Sequence, residues 1–370
     1  MKYYIIAGEA SGDLHGSNLM RELMLQDTTA TIRFWGGNLM QNVGGTLVKH
    51  YKELAFMGFA EVILNLNTIL KNIKFCKLDI EKFNPDVLIF IDYPGFNMRI
   101  AKWAKTKGFK THYYIAPQIW AWKENRIKEI KRDFDKLYVI LPFEKDFFEI
   151  KHNFPVSFVG HPLIDAIQNR EKCNKEAFRK QHNLSNKPII AVLPGSRKQE
   201  ISKMLEVMLS IVSDFEDYEF VIAGAPSQEF SFYEPFLKGK NIKFVSNKTY
   251  DLLENSFAAL VTSGTATLET ALFKIPEVVC YKGSWISYQI AKRIITLKYI
   301  SLVNLIMDEE VVTELIQEKC TSKNLKKELS LLLEKNNREA ILSKYDLLEQ
   351  KLGGLGASKK TAALILDNLK

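Results

Sequence analysis

The segment from residue 3 to residue 35, YYIIAGEASGDLHGSNLMRELMLQDTTATIRFW, determines how the rest of the chain is interpreted. Apolar residues run together at 3–7 and 31–35, and residues 13–25 between them have the apolar spacing of an amphipathic helix. Short apolar runs follow at 87–91, 111–115, 136–140 and 156–159. Such runs are typical of parallel strands that are buried on both faces. The sequence therefore predicts a doubly wound α/β domain over residues 1–163.

The second half of the chain repeats this pattern after Gly160-His161-Pro162 and a polar passage. Apolar runs return at 188–193, 219–223, 242–244, 258–262 and 277–281. We predict a second domain over residues 164–340, because 370 residues exceed the roughly 250–300 at which one core stops growing. Helical segments are predicted at 324–335 and 358–369, and residues 341–370 are expected to return towards the first domain. The predicted fold class is α/β, with two Rossmann-like doubly wound domains that face a central cleft.

The composition limits the partners and the compartment. Lys and Arg number 51 against 43 Asp and Glu, so the formal charge of +8 favours an anionic partner such as a phosphorylated metabolite or an anionic membrane surface. No nucleic-acid partner is predicted, because zinc-finger spacing, an aromatic RNA-binding signature and a solid basic tract are all absent. The four cysteines lie far apart, which predicts a reducing compartment. We expect a cytoplasmic protein, because no stretch reads as a secretory signal or a membrane span.

Two loops of the first domain are candidate sites, because open α/β sheets bind ligands at the carboxyl ends of their strands. The loop at residues 8–16 follows the first predicted strand, and its Gly12, Asp13 and His15 are candidate substrate-binding residues. A tight turn with Asp13 as a helix cap is an equal alternative. The second loop begins at Asp92, whose carboxylate could accept a proton from a substrate hydroxyl. A capping or turn aspartate is the alternative there.

Two loops of the second domain have the composition of an anion site. Ser196-Arg197 follows a strand, and the guanidinium can hold a diphosphate through two hydrogen bonds, although a solvated surface arginine is the alternative. The loop Gly264-Thr265-Ala266-Thr267 opens a helix whose N-terminal N–H groups would face phosphate. Glu269 lies one turn into that helix and could accept hydrogen bonds from a ribose diol. A capping box is the alternative for Glu269.

No residue pattern predicts a metal site or a bound cofactor. The six histidines lack His-Glu-x-x-His spacing, and no Gly-x-Ser-x-Gly elbow occurs. The stretch at residues 353–361 is glycine-rich, but no glycine directly precedes its lysine, so it is not a phosphate loop.

The stretch at residues 54–70 is apolar on more than one face and is flanked by lysines. These features favour a helix that dips into one leaflet of an anionic membrane. The predicted membrane-contact residues are Phe56, Met57, Phe59, Ile63, Leu66 and Leu70. A core helix packed on the sheet is an equally good interpretation of the pattern.

Eight segments together resemble one protein family in kind and in order. They are GEASGD (8–13), MG with EV (57–58 and 61–62), IDYPGFN (91–97), APQIWAW (116–122), GHP (160–162), LPGSR (193–197), SGTATLE (263–269), and YISL with Asn304 (299–304). In these segments the chain resembles the lipid-A-disaccharide synthases, inverting glycosyltransferases with the two-domain GT-B fold. Many relatives have Asp at the position of Gly95 and Ser-Val at Gln118-Ile119, so these three residues inherit no specific role.

The resemblance implies a reaction and its substrates. The enzyme would transfer 2,3-diacylglucosamine from its UDP derivative to the 6-hydroxyl of 2,3-diacylglucosamine 1-phosphate (lipid X). The products would be UDP and the β-1,6-linked lipid A disaccharide 1-phosphate. The resemblance also implies a peripheral position on the cytoplasmic face of an anionic inner membrane, without a cofactor, and an oligomer is possible. Because both substrates would carry fatty acyl chains and phosphate, the membrane interpretation of residues 54–77 and the basic charge would have one common explanation.

The resemblance also assigns roles to individual residues. It implies that Asp92 is the general base and that Arg197 binds the donor phosphate or the transition state. Glu269 and the Gly264-Thr265 turn would bind UDP, with Asn304 and Gln317 as supporting contacts. Two other functions remain open: another UDP-sugar enzyme of this fold, such as an N-acetylglucosaminyltransferase or epimerase, and a non-catalytic protein that binds anionic lipid.

Overall fold

A computed structural model of the protein describes residues 1–54, 66–283 and 298–369. The contacts of the chain form two compact units. Unit 1 comprises Met1–Asn169 with Leu352–Lys370, and unit 2 comprises Arg170–Lys351. The boundary placed from the sequence, after residue 163, differs from this one by a short helix that the contacts assign to unit 1.

Unit 1 is built on a seven-stranded parallel sheet with strand order β3-β2-β1-β4-β5-β6-β7. Its strands are β1 (Lys2–Ala7), β2 (Thr31–Gly36), β3 (Thr46–His50), β4 (Val87–Ile91), β5 (Thr111–Tyr114), β6 (Lys136–Val139) and β7 (Ser157–Phe158). Its helices are α1 (Ala10–Gln26), α2 (Asn38–Val43), α3 (Leu66–Phe83), α4 (Pro94–Thr106), α5 (Ile119–Trp122), α6 (Ile127–Asp133), α7 (Pro142–Asp146) and α8 (Pro162–Gln168). Strand β4 is buried at all five residues, as expected for a central parallel strand.

Unit 2 contains a six-stranded parallel sheet with strand order β10-β9-β8-β11-β12-β13. Its strands are β8 (Ile189–Leu193), β9 (Glu219–Gly224), β10 (Lys243–Ser246), β11 (Ser256–Thr262), β12 (Glu277–Tyr281) and β13 (Glu314–Ile316). Its helices are α9 (Lys175–Gln181), α10 (Lys198–Met208), α11 (Phe230–Leu237), α12 (Thr249–Glu254), α13 (Thr265–Leu272), α14 (Leu302–Met307), α15 (Ser322–Leu333) and α16 (Lys335–Lys351). The prediction of two parallel α/β domains is confirmed.

Two strands escaped the sequence analysis, and both lie at the edge of a sheet. Strand β3 pairs only with β2, and none of its residues is fully buried. Strand β13 is three residues long and, among the described strands, pairs with β12 alone. An edge strand has one exposed face or end, so it lacks the continuous apolar run that identified the central strands.

A buried polar network fixes helix α3 on the sheet of unit 1. The Trp35 indole N–H donates to the Tyr4 hydroxyl at 2.8 Å, and that hydroxyl donates to the Asp79 carboxylate at 2.7 Å. Arg33 adds two hydrogen bonds to the same carboxylate, at 2.6 and 2.8 Å. The network joins β1, β2 and α3, so it determines which face of α3 turns inward.

The last helix, α17 (Ala357–Asp367), packs against α1 in unit 1. The buried carboxylate of Asp165 on α8 accepts hydrogen bonds from the backbone N–H groups of Gly356 at 2.7 Å and Ser358 at 3.0 Å. Helix α17 has no side-chain cap of its own, so Asp165 satisfies N–H groups at its start. This side chain therefore holds the C-terminal segment against the first half of the chain.

We predict that Asp165→Ala lowers the free energy of unfolding of unit 1 by about 2–4 kcal/mol, because two buried N–H groups lose a charged acceptor. Urea denaturation of the full chain, followed by circular dichroism, measures the loss. Asp165→Asn keeps one acceptor oxygen and should lose about half as much. Asp146→Ala, at an exposed position of unit 1, is the control and should change little. An unfolding curve of Asp165→Ala that matches the parent would contradict this role.

Candidate functional site

The leading candidate site is a cavity of about 390 Å³ in unit 2, at the carboxyl ends of β8, β9 and β11. The strand order of this sheet reverses between β8 and β11, which is where open α/β sheets form a ligand crevice. The cavity is lined by Leu193, Gly195, Ser196, Arg197, Glu200, Ala223, Gly224, Ala225, Pro226, Thr249, Thr262, Ser263, Gly264, Thr265, Ala266 and Glu269. Both loops that the sequence singled out in the second domain therefore line one cavity.

Two helices begin at this cavity. Arg197 is the N-cap residue of α10, and Gly264 is the N-cap residue of α13. Neither cap residue makes a side-chain capping bond, and the positive ends of both helix dipoles meet the cavity. The Arg197 side chain is exposed. Two helix N-termini and one guanidinium around one cavity are groups suited to binding an anion.

Glu200 holds the loop between β8 and α10 in shape. Its carboxylate accepts a hydrogen bond from the Ser196 backbone N–H at 3.0 Å. Gly195 has a φ of +106°, and a Cβ atom there would lie 2.3 Å from Oε2 of Glu200. Only glycine allows both this backbone conformation and this close approach. The carboxylate and the glycine together determine where Ser196 and Arg197 lie.

Glu269 accepts a hydrogen bond from the Tyr250 hydroxyl at 3.0 Å. Burial raises the pKa of the Glu269 carboxyl, and the Tyr250 hydroxyl opposes that rise. No capping box forms at α13, so the alternative interpretation of Glu269 is wrong. The carboxyl is held in the cavity wall by a side chain from a different helix, where it can accept hydrogen bonds from a ligand.

Asp92 lies at the corresponding point of unit 1, directly after β4, where the strand order reverses between β1 and β4. Asp92 and Tyr93 have φ values of +44° and +50°, a conformation that costs energy for any residue except glycine. The backbone carbonyl of Asp92 accepts hydrogen bonds from the Tyr113 hydroxyl at 2.8 Å and the Asn97 amide at 2.6 Å. These contacts hold the strained turn. Burial raises the pKa of the Asp92 carboxyl, and a hydrogen bond from the Tyr93 N–H opposes it.

The loop after β1 places its predicted residues in different surroundings. The Asp13 carboxylate is buried and accepts hydrogen bonds from the N–H groups of Gly37, Leu39 and Met40, so it caps helix α2 and not its own helix. Gly12 is buried in the first turn of α1. Burial lowers the pKa of His15 to about 4, and its Nδ1 has no hydrogen-bond partner among the described residues.

Three other predicted residues of unit 2 are not among the residues that line the cavity. Thr267 is buried and donates to the carbonyl of Gly264 at 2.9 Å. The amide of Asn304 is fully engaged, with donor bonds to Val312 and Glu314 and acceptor bonds from the N–H groups of Val311 and Val312. Gln317 is buried at a φ of +50° directly after β13. In this structure, Thr267 and Asn304 hold backbone, whereas the Nε2 atom of Gln317 has no partner among the described residues.

The sequence analysis missed several residues of the cavity. Gly224 ends β9 and Ala225-Pro226 follow it, and Thr249 begins α12 shortly after β10. The rule that ligand loops follow strands would have found both, since both follow predicted strands. No such signal identified Glu200 or Tyr250. Glu200 acts by accepting a hydrogen bond from the Ser196 N–H, and Tyr250 acts by donating one to Glu269.

Comparison with known proteins gives one consistent result. The family described as lipid-A-disaccharide synthetase matches residues 3–365 of the chain. Lipid-A-disaccharide synthases from Geobacter metallireducens and Coxiella burnetii are each 37% identical to it; the alignments cover 99% and 98% of this chain and 96% of each relative.

Solved structures show the same fold at low sequence identity. The UDP-GlcNAc 2-epimerase of Neisseria meningitidis bound to UDP-GlcNAc superposes with a TM-score of 0.71 at 14% identity, over the full length of both chains. MurG of Acinetobacter baumannii superposes with a TM-score of 0.59 at 11% identity, over 99% of both chains. The fold is GT-B.

We predict that Gly195→Ala weakens the binding of UDP by about tenfold, ~1.4 kcal/mol, because the added methyl group displaces Glu200 from the Ser196 N–H. Isothermal titration calorimetry with UDP measures this change. Gly239→Ala is the matched control, since Gly239 also has a positive φ, +74°, but has open space at its Cβ position. Equal UDP affinities for the two variants would show that Glu200 does not hold the loop for binding.

Proposed function

The chain belongs to the lipid-A-disaccharide synthetase family, and from this premise we propose its substrates and the roles of its residues. It is a GT-B glycosyltransferase with lipid-A-disaccharide synthase activity. We propose that the donor is UDP-2,3-diacylglucosamine and the acceptor is 2,3-diacylglucosamine 1-phosphate. The products are then UDP and the β-1,6-linked disaccharide 1-phosphate.

The observation that carries this proposal is the cavity of unit 2. UDP has a diphosphate, for which the N-termini of α10 and α13 and the Arg197 guanidinium are suitable partners. It also has a ribose diol, whose hydroxyl groups can donate to the Glu269 carboxylate. One cavity thus offers partners for the diphosphate and for the ribose diol of the nucleotide.

The same groups explain how the donor is activated. As the glycosidic bond breaks, negative charge develops on the departing UDP. Arg197 and the two helix N-termini stabilise that charge through groups that are already oriented before the reaction starts. The acceptor hydroxyl attacks the anomeric carbon on the side opposite the diphosphate, so the configuration inverts.

Asp92 is the proposed general base. Its carboxylate takes the proton of the attacking hydroxyl as the new glycosidic bond forms. Burial moves its pKa upward towards the working pH, which makes it a better proton acceptor than an ordinary exposed aspartate. The strained turn at Asp92 and Tyr93 is consistent with this role, because such conformations cluster at functional sites.

The direct test is product analysis. The protein is incubated with UDP-2,3-diacylglucosamine and the monosaccharide 1-phosphate, and the products are analysed by mass spectrometry for a tetraacyl disaccharide phosphate. An epimerase would give an isomer or free sugar without joining two lipids. A lipid-binding protein would release no UDP.

We predict that Asp92→Asn lowers kcat by at least about 100-fold and leaves UDP affinity unchanged. In the parent, kcat/KM should fall as the pH drops through the raised pKa of Asp92, because the protonated carboxyl cannot accept a proton. The inflection should lie above the ordinary value of 3.8 and disappear in the variant. Arg197→Ala is the contrasting variant: it should weaken UDP binding and lower kcat while the inflection remains. Normal turnover in Asp92→Asn would make Asp92 a structural residue.

We also propose that helix α3 carries a membrane-contact face. On its outer side, Leu70, Phe75 and Leu78 are 53%, 47% and 56% exposed. Exposed lysines at 71, 74 and 82 lie on the same helix. Apolar side chains framed by lysines suit the boundary between anionic head groups and acyl chains.

The structure bears on only part of the predicted membrane-contact set. Phe56, Met57, Phe59 and Ile63 lie outside the described residues, and Leu66 begins α3. The inner side of α3 is a core face, with Ile73, Cys76 and Ile80 buried. The core-helix interpretation therefore fits the inner face of α3, and the proposed membrane contact rests on its outer face alone. Among the described residues, no helix has the length and apolarity that crossing a membrane requires.

We predict that Leu70→Ser with Leu78→Ser reduces binding to vesicles containing anionic lipid by about tenfold, because two inserting side chains lose apolar area. Vesicle co-sedimentation at low salt measures the change. The control is Leu25→Ser with Leu355→Ser, which alters two exposed leucines of unit 1 outside α3. If both double variants bind vesicles like the parent, α3 is not the contact face.

A further inference from the structure

Unit 2 buries a carboxyl group that the proposed reaction does not use. Glu277, the first residue of β12, is 1% exposed. Neither of its carboxyl oxygens has a hydrogen-bond partner within residues 1–54, 66–283 and 298–369. A buried polar group without a partner costs free energy, so this group needs a specific explanation.

Glu277 lines a cavity of about 330 Å³. The other lining residues are Val278, Val311, Thr313, Glu328, Leu331, Leu332, Asn337, Ala340 and Ile341. The cavity lies at the start of β12, whereas the donor cavity lies at the opposite, carboxyl end of the same parallel sheet. The two cavities share no lining residue.

The walls of this second cavity combine negative charge with hydrocarbon. Six of its ten lining residues are aliphatic, and Glu277 and Glu328 supply carboxyl groups. Glu328 is partly exposed and accepts hydrogen bonds from Thr313 at 3.4 Å and Lys327 at 3.2 Å. One carboxyl is therefore partly accessible to water, and the other is buried.

A cation on the helix that contributes to this cavity is already engaged. Arg338, on the same helix as Ala340 and Ile341, donates to the backbone carbonyl of Phe257 and lies 4.0 Å above the Phe257 ring. Glu277 raises the pKa of the Tyr345 hydroxyl and of the Cys280 thiol, and neither group can carry a positive charge. Burial raises the pKa of Glu277 well above its ordinary value. Burial thus favours the neutral form of this carboxyl, and a positive charge beside it would favour the ionised form.

We propose that this cavity binds a small primary alkylammonium ion, with the ammonium group on Glu277 and the hydrocarbon chain against the aliphatic wall. An ammonium group supplies three N–H donors, which match the unpartnered oxygens of a buried carboxylate. Aliphatic walls favour an organic cation over a hydrated metal ion. No group of three or more His, Cys, Asp or Glu side chains suited to a metal occurs in the described parts of the chain.

Binding of the ammonium ion would release a proton from Glu277, which distinguishes a binding site from a carboxyl that is merely buried. The incoming ammonium stabilises the ionised form of Glu277, so the carboxyl must release its proton to the solvent. At a pH at which free Glu277 is protonated, about one proton is released for each ion bound.

The test is isothermal titration calorimetry of the full chain with n-butylammonium chloride, in two buffers of different ionisation enthalpy. We expect binding with a released proton, and at least tenfold weaker binding of n-butanol, which has the same chain without the charge. Glu277→Gln keeps the shape and removes the charge, and should weaken n-butylammonium at least tenfold. Glu277→Leu removes the buried carboxyl, should fold at least as stably as the parent, and should also lose binding.

Two outcomes would overturn the site. One is the absence of n-butylammonium binding at millimolar concentrations, and the other is equal binding by the parent and Glu277→Gln. UDP titration serves as an independent reference, because the two cavities share no residue. Normal UDP binding with no alkylammonium binding refutes only this site, whereas the reverse result refutes only the proposed donor site.

Discussion

The parallel pairing of β1 with β4 in unit 1, and of β8 with β11 in unit 2, is the constraint on which both candidate sites depend. In each sheet the strand order reverses at this pair, so the loops that follow the two strands diverge and leave space between them. Asp92 follows β4, Arg197 follows β8, and the Gly264 loop follows β11. Hydrogen-bonded strand pairing therefore determines where these candidate residues lie.

The buried carboxyl groups differ in the hydrogen-bond donors that they meet. Glu269 and Asp92 both have a raised pKa because they are taken out of water, yet each keeps one hydrogen-bond donor that supports the ionised form. Glu277 has desolvation alone and no such donor. Asp13 and Asp165 are also buried, but backbone N–H groups surround their carboxylates. What the oxygens of a buried carboxyl meet therefore determines whether it acts as a helix cap, as Asp13 and Asp165 do, or has its pKa raised by burial.

Helix α3 has a buried inner face and an outer face with exposed apolar side chains. Its inner face is tied to the sheet by Asp79, Tyr4 and Arg33, which prevents the helix from rotating. Its outer face can consequently display Leu70 and Leu78 without losing the core packing of Ile73 and Ile80. A fixed orientation is what allows an apolar patch to remain exposed on a folded protein.

The sequence by itself determined the two parallel domains, because buried central strands must be continuously apolar and such runs are visible in the chain. It also located two loops that line the candidate cavity of unit 2, since Ser196, Arg197 and the Gly264 turn lie in loops that follow predicted strands. Only the tertiary structure decided what several side chains do: Asp13 caps α2, Asn304 holds the backbone at Val311 and Val312, and Tyr250 supports Glu269. The tertiary structure likewise decided the edge strands β3 and β13 and the surroundings of the Glu277 carboxyl. These features depend on atoms that are distant in sequence, and a local pattern of residue types does not specify which distant atoms will meet.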